Sequence, residues 1–259
     1  MAELTLSLTL TELLLAVGDF LGYGPTAVSW TSGQAAEIDR YVQAGVRQFY
    51  FPPAAEGIEA GYSWSFLKPT LTLTTTANDA AQTLPDDFGR LIGDLTYDAN
   101  IHRTSVVQVS EGRLLALLQQ SDDTGKPRYV AIRYIAGTTL TTGQRQEIAF
   151  WPIPDYAYVL SYRYEAYTGK LTLLLPYPLG GMRYAEVITK SCLSMAEQRA
   201  NDARGVHWDQ FLRSLAAAIA MDRKQGARFF GQMGGGEDVV LPRHQAAQTY
   251  PITYKGETW

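Results

Sequence analysis

Three histidines, one cysteine and two close acid pairs are the residues that could do chemistry in this sequence of 259 residues. His102, His207 and His244 stand in unrelated segments, and no two of them have metal-ligand spacing. An imidazole so isolated is an ordinary surface or partly buried side chain. Cys192 falls on the apolar face of a helical pattern that has no basic neighbour to stabilise a thiolate, so it reads as a small buried hydrophobe. Asp86-Asp87 and Asp122-Asp123 have the form of acid/base pairs, but both sit beside Pro or Gly in turn contexts. Aspartate serves there by hydrogen-bonding the local backbone.

Glycine motifs and basic residues lead to the same place. Gly22-x-Gly24 follows a helix where a dinucleotide fingerprint needs a strand, and Gly234–Gly236 lacks the Lys-Ser/Thr of a phosphate loop. Arg199, Arg204, Arg213, Arg223, Lys224 and Arg228 could meet phosphates, yet acids are interspersed among them. A solvated or subunit-facing helix surface is the better account. The residues point to a protein without a catalytic, metal or cofactor site.

What remains is contact chemistry. Apolar residues make up 46% of the chain and charged residues 19%, with sixteen tyrosines and five tryptophans. Such rings bury much area while keeping a polar handle, which suits either an interface or a β-rich core. The net charge of −4 leaves no overall basic footprint for gripping nucleic acid. Charge is unevenly placed: residues 1–60 hold seven acids and two bases, whereas residues 182–230 hold eight bases and five acids. These complementary ends could pair within one subunit or between neighbours. A single cysteine excludes an intrachain disulfide. The N-terminus lacks a basic leader, and Leu13–Val17 is too short to span a bilayer, so a soluble, unprocessed, cytosol-made chain without membrane contact is expected.

The elements that must position these residues begin with Thr9-x-x-Glu12, a capping box. Leu10, Leu13, Leu14, Val17 and Leu21 then keep helical spacing until Gly22-Tyr23-Gly24-Pro25 stops the helix. A second helix starts near Ser32 and carries Ile38, Tyr41, Val42, Val46 and Phe49 before Pro52-Pro53. Tyr62–Leu67 alternates, and Leu71–Thr75 follows Pro69, predicting a hairpin-like β start. Strands are expected around Leu91–Tyr97 and Val106–Val109, then a helix over Glu111–Gln119. Lys126–Tyr167 supplies three more strands, the last alternating strictly through Tyr156, Tyr158, Leu160, Tyr162 and Tyr164. Trp151–Asp155 is read as the turn folding one strand back toward the next. Five to seven strands result, antiparallel because most connections are too short for crossovers. Helices return with Tyr184, Val187, Ile188, Ser191, Cys192 and Met195, and again with Trp208, Phe211, Leu212, Leu215 and Ile219.

The tail from Gly234 is glycine-rich yet carries apolar anchors at Val239, Val240, Leu241, Tyr250, Ile252, Tyr254 and Trp259. A disordered tail is poor in aromatics, so an extended arm ordering against another subunit or partner is expected. Taken together, the class is α+β: a bundle of about four helices with an inserted antiparallel β-rich module and an extended C-terminal arm. The boundaries are 1–55 and 181–230 for the helical pairs, 56–180 for the module and 231–259 for the arm. Val240, Leu241, Tyr250, Ile252, Tyr254 and Trp259 of the arm, with Tyr158 and Tyr162 of the tyrosine stripe, are the candidate partner-binding residues.

This order resembles bacteriophage head-to-tail adaptor (connector) proteins of the tail tubular protein A type. Its signs are Val17–Gly24, Ile38-Asp39, Gly45–Pro52, Tyr62–Pro69, Leu84–Gly89, Gly125-Lys126-Pro127, Phe150–Asp155, Glu186–Asp202 and Gly205-Val206-His207. The similarity covers about residues 10–230 and leaves the arm unmatched. It implies a virion protein of the neck, in which copies, commonly twelve, form a ring beneath the portal protein. The ring would extend the DNA channel and dock the next tail component, a nozzle, stopper or tail tube. Double-stranded DNA would pass without sequence-specific contact, which an acidic chain suits. A ring asks for heterologous contacts that close by rotation. The competing classes are a tail terminator or stopper of the neck, a monomeric β-rich binding module of a tail accessory, and an enzyme.

Overall fold

The computed structural model describes residues 6–54, 61–98, 105–121, 123–135 and 144–224, with the backbone of 253–254 and 257–258. The chain divides into two compact units, Met1–Gln225 and Gly226–Trp259. Within the first, two separate sets of buried side chains mark a helical part and a β part of an α+β fold.

Helix α1, Leu10–Phe20, starts where expected: the Thr9 N–H donates to Glu12 Oε2 at 2.7 Å while Thr9 Oγ1 accepts the Glu12 N–H at 3.3 Å. Helix α2, Ser32–Tyr50, opens on a second capping box formed by Thr31 and Gln34, which the sequence reading passed over. The other two helices of the bundle are Ala185–Asn201 and Val206–Lys224, called α4 and α5 below because one further helix precedes them in the chain. Leu13, Val17, Ile38, Phe49, Ile188 and Phe211 are among the side chains of their shared core. At the α2–α4 crossing Gly45 has no side chain to spare. A Cβ there would lie 2.5 Å from Cys192 Cα, and Ser191 Oγ donates to the Gly45 carbonyl at 2.7 Å.

Strand β1, Thr70–Thr74, and β3, Phe88–Tyr97, both pair antiparallel with the tyrosine-rich β9, Val159–Ala166. A second sheet has the order β2-β7-β6-β4, from Ala81–Thr83, Gln146–Trp151, Tyr129–Tyr134 and Val107–Gln108. The sheets share one core, to which one gives Leu91, Leu160, Tyr162 and Tyr164 and the other Val130, Ile148 and Phe150. Strand alternation turns the intervening residues of the second sheet outward, where Ala81, Ala149 and Ala131 stand in one cross-strand row. Leu114 of α3, Glu111–Gln120, packs on that row, the small side chains giving a helix room to lie close.

Three expectations change. The stretch Tyr62–Leu67 is not a strand: Ser65–Leu67 is a 3-10 turn, and both Trp64 and Leu67 are buried in the helical core. Its alternation comes from aromatic residues clustering with Phe49 and Tyr184. The antiparallel rule also fails twice. Strands β4 and β6 are parallel with α3 as their crossover, and β5, Thr124–Gly125, runs parallel to β8, Ile153–Pro154. With these two-residue pairs the strands of the β part number nine among the described residues, not five to seven. Finally, Trp151–Asp155 makes no hairpin; it carries the chain from the four-stranded sheet to the three-stranded one. In the second unit, β10, Thr253–Tyr254, pairs antiparallel with β11, Glu257–Thr258.

The Gly45 crossing gives a first test. Gly45→Leu should destabilise the bundle by about 2–3 kcal/mol through overpacking against backbone, despite leucine's better helix propensity. Thermal unfolding checks it, and an unchanged midpoint would contradict the close approach.

Candidate interaction surface

A module inserted between helical pairs must leave the bundle and return to it, and each passage needs partners for buried backbone. The outgoing passage is held by Asp222 of α5, a carboxylate only 3% exposed. Its Oδ1 accepts from Ser65 Oγ at 2.5 Å and from the Tyr184 hydroxyl at 3.2 Å. Its Oδ2 accepts from the Tyr62 hydroxyl at 2.8 Å and the Ser65 N–H at 3.0 Å. Burial pushes this carboxyl up, but the Ser65, Tyr62 and Tyr184 donors outweigh it and hold Asp222 below the usual carboxylate range. Burial, with the carboxylate beside it, pushes the Tyr184 hydroxyl up to about 12. Trp64 adds an Nε1–H donated to the Phe49 carbonyl at 3.0 Å. At the opposite end of α5, Glu197 caps the helix start through the N–H groups of His207 and Trp208 at 3.0 and 3.3 Å.

The return passage, residues 167–182, is tied at three points. Gln43 of α2 binds the Leu171 backbone both ways: Nε2 donates to its carbonyl at 2.9 Å and Oε1 accepts its N–H at 3.0 Å. The Leu10 N–H donates to the Pro176 carbonyl at 2.8 Å, and the Leu179 N–H donates to the Tyr50 hydroxyl oxygen at 2.6 Å. Between these ties Thr172 and Leu175 exchange backbone hydrogen bonds at 3.2 and 3.1 Å, closing a tight turn. The turn carries Leu173, Leu174 and Leu175 outward, 81%, 92% and 70% exposed, followed by half-exposed Tyr177 and Leu179. A firmly tied apolar tongue in water is the candidate contact surface among the described residues. The sequence signal was available, since Leu171–Met182 has no charged residue and includes two prolines.

The residues singled out from sequence lie elsewhere. Tyr158 and Tyr162 face the module's interior, 8% and 3% exposed, so their rings fill the core and leave no open platform for a partner. The Tyr158 hydroxyl donates to Asp155 Oδ1 at 2.7 Å, whereas Tyr162 Oη has no partner among the described residues. Burial pushes the Tyr162 hydroxyl up to about 12. Val240, Leu241, Tyr250, Ile252 and Trp259 lie outside the described residues, and Tyr254 is described only as backbone of β10. His102 and His244 also lie outside the described residues. His207 meets the Phe20 ring edge-on at 5.0 Å, and Cys192 is fully buried, which raises its thiol. Asp86 pairs with Arg145 at 2.7 Å and Asp87 accepts the Tyr164 hydroxyl at 3.0 Å, both inside the β module.

The model of one family, the SU10 adaptor protein, matches residues 8–234, the span that holds both helical pairs, the β module and the tongue. The chain belongs to the SU10 adaptor protein family. It is thus a phage adaptor protein, and the family matched is this one, not the tail tubular protein A type named from the sequence. The search of curated proteins gave no match. No helix among the described residues is long and apolar enough to cross a membrane.

Two substitutions check the assignments of Asp222 and Tyr162. Asp222→Asn should cost about 2–3 kcal/mol at pH 7, because donors aimed at a buried carboxylate lose its charge. A carboxyl depressed in the folded state stabilises above its unfolded pKa and loses that contribution as pH falls toward the folded value. The wild-type advantage over the asparagine variant should therefore persist down to about pH 4 and close below it, as read from denaturant midpoints. Tyr162→Phe removes a buried hydroxyl without a partner and should leave stability unchanged or raise it by about 1 kcal/mol. A large loss would show that the hydroxyl has a partner.

Proposed function

We propose that this adaptor is a structural, non-catalytic component of the virion neck, whose copies form a ring beneath the portal protein, twelve in number. The ring extends the DNA channel and docks the next tail component. The supporting observation is the family match over residues 8–234, which takes in every element of the helical bundle and the β module. The acidic net charge suits a bore through which phosphates must slide.

In this reading the parts divide the work. The helical pairs, 1–55 and 181–230, build the ring wall, while the 56–180 module and the 231–259 arm face the portal or the next tail component. Val240, Leu241, Tyr250, Ile252, Tyr254 and Trp259 are the arm's anchors, ordering against a neighbour much as a strand or extended peptide adds to a partner surface. Tyr158 and Tyr162 support that surface from beneath, since they fill the core on which it rests.

Electron microscopy of the full chain mixed with the portal protein of the same phage tests the proposal. Rings seated coaxially on one portal face are expected, and truncation after residue 230 should keep the ring while weakening attachment. A chain that remains monomeric with portal present, by mass photometry and in micrographs, would remove the ring.

A further inference from the structure

Hydrogen bonds at its two ends give each backbone group of β1 a direction. The Tyr164 N–H donates to the Pro69 carbonyl at 3.2 Å and the Thr75 N–H to the Tyr158 carbonyl at 2.9 Å. Leu71 and Leu73, in step with these residues, therefore turn their backbone groups toward β9. Thr70, Thr72 and Thr74 turn theirs the other way, where no strand pairs with them among the described residues. All three threonines are exposed, and Leu71 is 40% exposed.

Proteins guard such edges with charge, proline, bulges, short strands or a covering segment. The other edges of the two larger sheets have these guards. Strand β3 carries two register shifts and a bridge from Leu95 to Val106. Strand β4 has two residues and β2 three, and the Ala81 N–H at the start of β2 is taken by Asp79 Oδ1 at 3.2 Å. Strand β1 has none of them. No residue between Lys68 and Asp79 is charged, Pro69 precedes the strand, and its five residues pair with β9 in unbroken register. A straight, uncharged Thr-Leu-Thr-Leu-Thr edge is built to take up a further strand.

The chain itself carries a segment of matching pattern. Tyr250, Ile252 and Tyr254 alternate with Pro251 and Thr253, as Leu71 and Leu73 alternate with the threonines of β1. Thr253–Tyr254 is already extended as β10, with β11 along one side, and in the single chain these two form a sheet of their own. Pro251 suits a strand added at an edge, where proline is tolerated. Residues 225–249 separate this segment from α5, and at about 3.3 Å each they can span roughly 80 Å, sufficient to reach an adjacent copy. Pairing of β1 with β1 of a second copy would be two-fold and would stop at a dimer. Pairing of the arm with β1 is heterologous and can repeat around a ring.

We infer that residues 250–254 of one copy add as a strand to the open edge of β1 in the neighbouring copy. Tyr250, Ile252 and Tyr254 then lie on the face of Leu71 and Leu73, and Pro251 and Thr253 on the face of the threonines. The inference rests on the ring reading above and names the surface against which the arm orders. The contact adds to the helical wall rather than replacing it, so the ring persists without the arm, while the β modules lose the link that joins them into one docking surface.

Disulfide capture reads the pairing, because the chain's own Cys192 is buried and does not compete. A full-length Thr72→Cys chain is mixed with full-length Thr253→Cys or Ile252→Cys chains, with portal protein present and under mild oxidation. Strand addition places position 253, and not 252, on the face of Thr72. The mixed disulfide with Thr253→Cys should therefore exceed that with Ile252→Cys by about tenfold, through the higher local thiol concentration. Thr74→Cys lies on the same face and should show the same preference for Pro251→Cys over Ile252→Cys, which keeps the test open should Thr72→Cys fail to fold.

The outcomes separate the two readings. Rings in micrographs with no mixed disulfide at either pair would overturn this contact and leave the ring standing. A face-selective mixed disulfide in chains that never close into rings would keep the contact and remove the ring. Equal capture at positions 252 and 253 would place the arm near β1 without strand pairing and overturn the proposal. A predominant Thr72→Cys homodimer would do the same, by giving the edge to a second β1. So would a disulfide confined to one chain in the Thr72→Cys, Thr253→Cys double variant.

Discussion

A buried carboxylate with four donors is the constraint on which the join between bundle and module depends. Asp222 lies on the core face of α5, and from there it receives Tyr62, Tyr184 and both the hydroxyl and N–H of Ser65. Without those donors a carboxylate at this depth would be strongly unfavourable, and without the carboxylate the Ser65 N–H would lose its acceptor. The arrangement works only when the C-terminal helix, the start of α4 and the outgoing segment are all in place. One side chain thus couples residues more than 150 positions apart, Ser65 and Asp222 being separated by 157. Gln43 does the same for the returning segment with a neutral amide, which mimics a peptide group by offering Leu171 one donor and one acceptor.

The two passages differ in what they do with apolar side chains. The outgoing one sends Trp64 and Leu67 into the helical core, adding ring contacts with Phe49, Phe66 and Tyr184. The returning one keeps Leu171 inside and turns the next three leucines out. Its ties consume backbone groups on both sides of the turn, so the leucines cannot fold back without breaking hydrogen bonds from Leu10 and Leu179. Exposure of the tongue is therefore a consequence of how its base is fastened.

Much of the fold was legible because its signals are local. Capping residues, a 3.6-residue period and Pro or Gly stops located all four bundle helices, and strict alternation located β9 with its buried face. Sheet topology was not legible, since the choice between a hairpin and a change of sheet at Trp151–Asp155 rests on pairing with Ala81–Thr83 and Thr70–Thr74, far away in sequence. The parallel β4–β6 pair was within reach: a short strand, a ten-residue helix and another strand form a crossover unit. Tyr62–Leu67 misled because aromatic alternation is shared by a pleated strand and by a short segment dropping rings into a helical core.

The contact surface was harder to read for a related reason. Hydropathy cannot say whether three consecutive leucines are inside or outside, and the default places them inside. Tyrosines attract attention as interface residues, yet here the stripe from Tyr158 to Tyr164 is interior, its first member Tyr156 is exposed, and the leucines are at the surface. What distinguishes them is register. Tyr162 and Tyr164 of β9, with Tyr158 just before it in the same alternation, point to one face, which is buried because the second sheet packs on it. Leu173–Leu175 are consecutive within a four-residue turn, where the backbone bonds of Thr172 and Leu175 close on each other and, among the described residues, no strand or helix pairs with them. A run of apolar residues confined to a closed turn has no sheet or helix face to place it in the core. For such a run, the geometry of its ties decides burial, and here those ties hold it in solvent.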